Sequence, residues 1–419
     1  MKKKTLLLLG GSRQQCPAIE RAKALGIRTV LCDYLPDSPG RKLADVFYLQ
    51  STTDRQGVLT VAQKEKIDGI LAYASDPAAP TAAFVAEALN LPTNPLESVE
   101  ILSFKHRFRA HLSRVGLPCP KAVSFDGTLK DTALTNALAA LPFPFVVKPT
   151  DSSGSKGVTV VRRFEDLPEA VTSARRFSRN GILIAETYLE KDFPYMIGGD
   201  IFVLDGKVAF DGLMRCIRDA RCDLVPGGKI YPVGLTVEQH RAVIDVLNKL
   251  LASLNMRFGE MNVEVILGKG NMPYVMELGA RAGGNYIPLE LSDVSGIDLI
   301  QANVLCALGL RPERLSFSGN DTYAATCVLH STQDGTFERL AISEAVKPFI
   351  YRTIMYKAPG DCIEAFHGAN QAIGLVFLRF PDEKTLCDIV ENIQDNIRVI
   401  VCNSNAQDRD FEFLRSTFH

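Results

Sequence analysis

The sequence predicts a multidomain protein of mixed α/β and α+β class that opens on a parallel sheet. Three observations carry this. Over residues 1–104, short apolar strands alternate with helical patterns, which is how βαβ units read. From about residue 121 the pattern changes to strands, a polar glycine loop and hairpins. The length, 419 residues, is two or three domains at roughly 150 residues each.

The elements follow in order. Residues 5–9 form the first strand; the apolar stretch is too short for a leader and has no small-residue cleavage site. Residues 16–25 are a helix ended by Gly26, 28–32 a strand, 55–66 a helix, 69–72 a strand and 80–89 a helix. Pro92, Asn94 and Pro95 punctuate the chain. Residues 101–115 read as one helix carrying Lys105, His106, Arg107, Arg109 and Arg114, stopped by Gly116-Leu117-Pro118. Strands follow at 144–148, 158–161 and 182–186, with a helix at 167–178. Asp205-Gly206 between apolar runs signals a hairpin. Residues 236–254 place Val243, Val246, Leu247, Leu250 and Leu251 at helical spacing. Strands at 262–267 and 273–278 come next. Beyond about 310 lie strands near 322–329 and 372–379 and a helix near 383–393.

Composition excludes several classes. Lys plus Arg total 47 and Asp plus Glu 48, a net charge of -1, which argues against a broad nucleic-acid surface. No apolar run reaches the roughly 18 residues needed to cross a bilayer, so no membrane partner is expected. Ten Cys without CxxC pairs indicate neither structural zinc nor a disulfide framework and point to a reducing cytoplasm.

Two constellations carry chemistry. The apolar strand Phe145-Val146-Val147 delivers Lys148 to the loop Asp151-Ser152-Ser153-Gly154-Ser155-Lys156-Gly157. Glycines and small hydroxyl residues let backbone N–H groups converge on an anion, and the lysine adds positive charge. Alone, the loop reads as a polar hairpin turn; with the strand feeding Lys148 it reads as phosphate-binding. It is not a Walker A loop, since GxxxxGK[ST] is absent. The second constellation is a hairpin. If it centres on Gly270–Asn271, Glu264 and Glu277 are cross-strand partners on one face. Opposed like charges cost a sheet stability. Two carboxylates among Val, Ile and Met suit a hard cation, Mg²⁺ or Mn²⁺, completed by substrate phosphates. The competing reading is a solvent-exposed pair or a slipped register. Arg281, four residues past Glu277, stabilises a transferring phosphoryl group, salt-bridges a glutamate, or does both.

In this order the pieces resemble the ATP-grasp superfamily, nearest the branch of biotin carboxylase, carbamoyl-phosphate synthase, purine-pathway ligases and amino-acid ligases. The resemblance implies a Rossmann-like pre-ATP-grasp domain over 1–104, an ATP-grasp domain over 105–310 with its lid near 118–190, and a C-terminal α+β domain over 311–419. It implies Lys105 and Lys148 as nucleotide lysines and Gly154, Ser155 and Gly157 as the loop over the phosphates. Glu186 is expected to accept from the adenine amino group, with Tyr188 and Leu189 giving backbone contacts. Asp192 is a candidate for the ribose, as is Asp200. Glu264 and Glu277 match the metal glutamates, and Arg281 with Lys148 the catalytic cations. Gly279 departs from the family, which usually has a metal-binding Asn there. The strand 325–330 lacks the arginine of biotin carboxylases, and no biotin-acceptor segment is present.

The activity implied is an ATP- and Mg²⁺-dependent union of a small carboxylate with an amine through an acyl phosphate. Alternatives are a bicarbonate-using carboxylase or carbamoyl-phosphate-synthase-like enzyme, a dinucleotide-binding oxidoreductase built on Gly10-Gly11 and Asp33, and a non-catalytic nucleotide module. Arg215, Arg218 and Arg221 either hold an anionic group of the substrate or form a solvated loop. His330 reads as a satisfied polar residue. The last 100 or so residues either complete the site or mediate a homodimer.

Overall fold

The computed structural model describes residues 3–127, 132–152, 154–219, 222–313, 315–317, 322–366, 368 and 371–402. Met1–Ile217 with Lys229–Ala324 forms one compact unit, and Arg218–Gly228 with Ala325–His419 forms another.

In the first unit, four parallel strands lie in the order Val46–Leu49, Arg28–Asp33, Thr5–Leu9, Gly69–Leu71. Thr5–Leu9 is central and wholly buried, which explains its unbroken apolar run. Leu7 and Leu9 face one core with Val30 and Ile70, while Leu6 and Leu8 face another with Ile19 and Leu31. The strand Val46–Leu49 escapes the sequence reading because it is a short, half-buried edge.

The single helix expected over 101–115 is two helices, Leu96–Ser103 and Lys105–Arg114. Phe104 between them is extended, at φ -119° and ψ 113°. Apolar periodicity runs through the break, with Val99, Ile101, Leu102, Phe108 and Leu112 all buried, so the pattern hides it. The break makes Lys105 the first residue of a new helix.

A second sheet orders Ala122–Phe125, Leu183–Thr187, Phe145–Pro149 and Thr159–Val161, all antiparallel. The helix Leu167–Phe177 buries Leu167, Ala170, Val171 and Ala174 against it.

The strand Lys207–Asp219, as far as Ile217, joins Met196–Leu204, Gly259–Gly268 and Met272–Gly279 in the third sheet of this unit, its second antiparallel one. Asp205 and Gly206 both have positive φ, 52° and 77°, and pair Leu204 with Lys207 across a two-residue turn. The helix Val237–Ser253 starts at a capping box in which Thr236 and Gln239 each satisfy the other's backbone N–H. Its stripe, Val243, Val246, Leu247, Leu250 and Leu251, is buried as the spacing predicts. Met261, Val263 and Val265 supply the facing side of that core. Alternation therefore puts Glu260, Asn262 and Glu264 on the other face.

In the second unit, Tyr323–Leu329 neighbours Gly374–Phe380, which pairs antiparallel with Ile350–Met355. Gly335–Ile342 pairs with Cys362–Ile363 and Ile397–Cys402. The helix expected over 383–393 ends at Val390, and a short turn of helix, Ile393–Asn396, follows. His330 bonds Val328 O through Nδ1 at 2.9 Å and stacks on Phe366, a satisfied residue as expected.

Candidate active site

The hairpin register places Glu264 opposite Glu277. Two departures from the expected geometry cancel to give this pair. Nearest the turn, Gly268 pairs with Met272, so the hairpin centres on Gly270 alone. The register then shifts between Glu264 and Val265, which makes Met276 an extra, bulged residue. A bulge leaves a carbonyl outside the ladder, and Arg109 NH2 donates to Met276 O at 3.0 Å. Arg109, which the sequence reading passed over as one of several helix basics, thus braces the strand that carries Glu277.

Arg109 also closes a buried ion cluster. Its Nε donates to Glu186 Oε2 at 2.9 Å, and Lys148 Nζ contacts Glu186 Oε1. Lys148 and Glu186 lie on adjacent antiparallel strands as diagonal neighbours, since Lys148 pairs with Ile184 and Glu186 with Val146. Burial pushes the Glu186 carboxyl up, but Arg109 and Lys148 outweigh it and hold it at about 2. Burial, with Arg109 and Lys105 nearby, holds the Lys148 ammonium below the usual lysine range despite Glu186. The Glu186 carboxylate, 1% exposed and expected to meet the adenine amino group, is engaged by two cations. Arg109 NH1, also buried, has no partner among the described residues.

Lys105, at the helix start created by the Phe104 break, reaches the same region. Its Nζ donates to Ser152 O at 2.8 Å and lies 3.4 Å from Glu277 Oε2. A cavity of about 330 Å³ opens here, with Lys105, Glu277, Ser152, Arg55, Thr81 and Asp76 in its wall.

Arg281 is not paired to either glutamate. Its Nε and NH2 donate to the two oxygens of Asp76 at 2.6 and 2.7 Å. Burial opposes the Arg281 charge, but Asp76, Glu277 and Asp200 outweigh it and raise its pKa. Asp76 had no signal in sequence, because only folding brings it to Arg281.

The glycine loop is a tight turn. Gly154, Ser155 and Gly157 have φ of 68°, 58° and 72°. A Cβ on Gly157 would lie 3.0 Å from the Phe177 ring and 3.1 Å from Ala174 Cα. Gly157→Ala should therefore cost about 1–3 kcal/mol in denaturant unfolding, from overpacking and left-handed strain together. An unchanged midpoint would show that the loop is not seated on the helix Leu167–Phe177.

Other expectations are redistributed. Asp192 Oδ2, a candidate for the ribose, accepts from Gly270 N at 2.6 Å and Asn271 N at 3.2 Å and so ties down the hairpin turn. Asp200 is fully buried and accepts from Asn262 Nδ2 at 2.8 Å and Gly283 N at 2.7 Å, a structural post. Tyr188 is exposed, but its N–H donates to Pro144 O at 3.3 Å; Leu189 is half-buried. Arg215 is buried with its guanidinium over Tyr195, Arg218 belongs to the other unit, and Arg221 lies outside the described residues. Sequence reading also missed Lys229. Its Nζ donates to Cys216 Sγ at 3.1 Å above Gly198, where a Cβ would lie 2.5 Å from that nitrogen. Burial opposes its charge, but Cys216 and Glu264 outweigh it and raise its pKa.

The oxygen donors fit a hard divalent ion only in part. Among the described residues no group of three or more His, Cys, Asp or Glu could hold a metal. Glu264 and Glu277 would be the protein's share, and phosphate oxygens and water the rest of the octahedron. The dinucleotide alternative loses its key residue. Asp33 accepts from Gly11 N at 2.6 Å and Leu35 N at 2.9 Å, so its carboxylate is spent inside its own loops. Among the described residues no helix is long and apolar enough to cross a membrane, and nine cysteines are free.

Comparison with known proteins accords with this geometry. The family model described as "Carbamoyl-phosphate synthase L chain, ATP binding domain" matches residues 105–196. The carbamoyl phosphate synthase large chain of Clostridium beijerinckii is 26% identical over 319 residues, 73% of this chain and 28% of that protein. Mouse (Mus musculus) carnosine synthase 1 is 26% identical over 346 residues, 74% of this chain and 40% of that protein. This chain thus spans under a third of the carbamoyl phosphate synthase large chain it matches. Among solved structures, the L-amino acid ligase from Bacillus licheniformis superposes with a TM-score of 0.79 at 21% identity, covering 96% of this chain and 100% of that one. Phosphoribosylglycinamide synthetase from Anaerococcus prevotii gives 0.76 at 21% identity, with the same coverage. The family match spans the helix and strands that carry Lys105, Lys148 and Glu186, and the fold is shared over almost the whole chain with these ligases, so this chain is similar to the ATP-grasp superfamily.

Proposed function

We propose that the chain is an ATP- and Mg²⁺-dependent ligase that joins a small carboxylate to an amine through an acyl phosphate, releasing ADP and phosphate. One observation carries the reading: Glu264 and Glu277 are paired on one face with Lys105 3.4 Å from Glu277. Two opposed carboxylates repel one another across a sheet, and with an adjacent ammonium they suit a metal-bound polyphosphate. When bound, the ion would neutralise charge on phosphate oxygens. Lys148, backed by Glu186 and Arg109, supplies a fixed cation to the nucleotide, and Arg281 supplies one to the phosphoryl group in transfer. Loop 151–157 excludes water by closing over the phosphates. The protein then mainly positions carboxylate and amine. On this reading 1–104, 105–310 and 311–419 are the three domains, with the lid near 118–190.

The carboxylate–amine assignment is supported by likeness to proteins named as an amino acid ligase and a carnosine synthase. Likeness to carbamoyl phosphate synthase supports a second reading in which bicarbonate is the carboxylate. The test is ADP release with Mg·ATP across pooled carboxylates crossed with pooled amines, amino acids and bicarbonate. Release that needs one carboxylate and one amine is expected. Release with bicarbonate alone would select the second reading, and tight ATP binding without release from any pool would remove both. Lys148→Ala should raise the KM for ATP about tenfold or more, since a buried charge-assisted contact is lost; an unchanged KM would take Lys148 out of the nucleotide site.

A further inference from the structure

Arg281 is held by a partner from far away in sequence. Asp76 lies 205 residues upstream, at the start of the turn Asp76–Ala78, after the parallel strand Gly69–Leu71. Its two oxygens take Nε and NH2 of Arg281, and NH1 donates to Ala282 O at 3.0 Å. Among the described residues, three of the five guanidinium N–H donors are thereby spent. Two remain, one on each terminal nitrogen. Asp76 also stands in the wall of the cavity that holds Lys105 and Glu277. Burial works against its charge, but Arg281, Lys105 and Arg179 outweigh it and lower its pKa.

Gly279 explains how this pair fits. A Cβ at residue 279 would lie 3.2 Å from Asp76 Oδ1 and 3.4 Å from Arg281 Nε and Cζ. That Cβ alone is already in tight contact with the pair, and the Asn that the resemblance expects adds three further heavy atoms beyond it. The missing Asn and the Asp76–Arg281 pair are therefore one feature.

We propose that Asp76 is the positioning residue for Arg281. It fixes the plane of the guanidinium so that the two unspent donors are held for the phosphoryl group in transfer, and Gly279 is the opening that admits it. This rests on the ATP-dependent reading above. A merely structural salt bridge would stabilise the fold without preferring one nucleotide state over another.

The experiment is calorimetric binding of Mg·ADP alone and of Mg·ADP with aluminium fluoride, a mimic of the phosphoryl group in flight. It is run on the full chain and on Asp76→Ala, Asp76→Asn and Gly279→Ala. The expected result is a loss of about tenfold or more in affinity for the aluminium fluoride complex in Asp76→Ala and Gly279→Ala, with ADP alone changed less than about twofold. Asp76→Asn, which keeps shape and loses charge, should fall between. Equal losses for both ligands, or none, would overturn the role of Asp76 while leaving the nucleotide site standing. Failure of the unmodified chain to bind ADP would overturn the ATP-dependent reading and this inference with it. If Asp76→Ala does not fold, Gly279→Ala and Asp76→Asn decide.

Discussion

Glu186→Gln should destabilise the protein by about 3–5 kcal/mol, because it strips the only anion from a buried three-charge cluster. Glu186 is 1% exposed, and Arg109 Nε lies 2.9 Å from Oε2, with Lys148 on Oε1. The amide keeps the shape and leaves two cations facing one another without a counter-charge. Lys148 can relieve this by losing its proton; Arg109 cannot. Lys148→Met leaves one cation and one anion, so it should cost about 1–2 kcal/mol, and the inequality between the two variants is the sharper test. Urea unfolding at pH 7 measures both. Acid titration gives a second readout. The Glu186 carboxyl sits at about 2 in the folded chain against an ordinary 4.5, so the unfolded chain takes up the proton first. The cluster's contribution is complete above about pH 4.5 and is lost as pH falls toward 2, an amount on the order of 3 kcal/mol. The difference between wild-type and Glu186→Gln stabilities should therefore shrink across that window. A constant difference from pH 7 to 3 would show that Glu186 is not the cluster's ionised member.

The contrast between this cluster and the glutamate pair shows where sequence stops informing. Thr5–Leu9 and the stripe on Val237–Ser253 were legible because burial imposes a period, and a period is written locally. The Glu264–Glu277 pair was legible because both residues belong to one hairpin, where turn position sets register. Even there the bulge at Met276 was invisible. It depends on Arg109, from another element, accepting the job of satisfying a stray carbonyl. Asp76 and Arg109 were missed for the same reason: each is an ordinary charged residue until a distant strand is packed against it. Phe104 was missed because a one-residue break does not disturb apolar spacing, although it sets Lys105 at a helix start. The bonds from Asp192 to the hairpin turn were not legible because an acidic residue near a glycine turn can serve either a ligand or the turn's own N–H groups.

Glu277→Gln should have the opposite signature to Glu186→Gln, with activity lost and stability kept. Glu277 is 27% exposed on its side chain and pairs with another carboxylate, so neutralising it removes repulsion at little cost. Stability should be unchanged or rise by about 0.2–1 kcal/mol, the scale of a like-charge cross-strand pair. The contact with Lys105 at 3.4 Å is only partly exposed and offsets some of that gain. On the ligase reading, Mg²⁺-dependent ADP release should fall by about 10²–10³-fold, because the ion loses half of the protein's share of its ligands. Manganese binding in the presence of ADP, followed by the loss of free-ion paramagnetic signal, should weaken in parallel. Glu264→Gln should behave alike, which separates a metal pair from a lysine counter-ion, since Lys105 is the partner of Glu277. Retained turnover in Glu277→Gln would remove the metal assignment. A large loss of stability would mean that the two glutamates are held together by something other than the demands of the reaction. Opposed charges that cost the fold and serve the chemistry are the physical mark of a functional site, and these two variants measure both sides of that exchange on the same pair of residues.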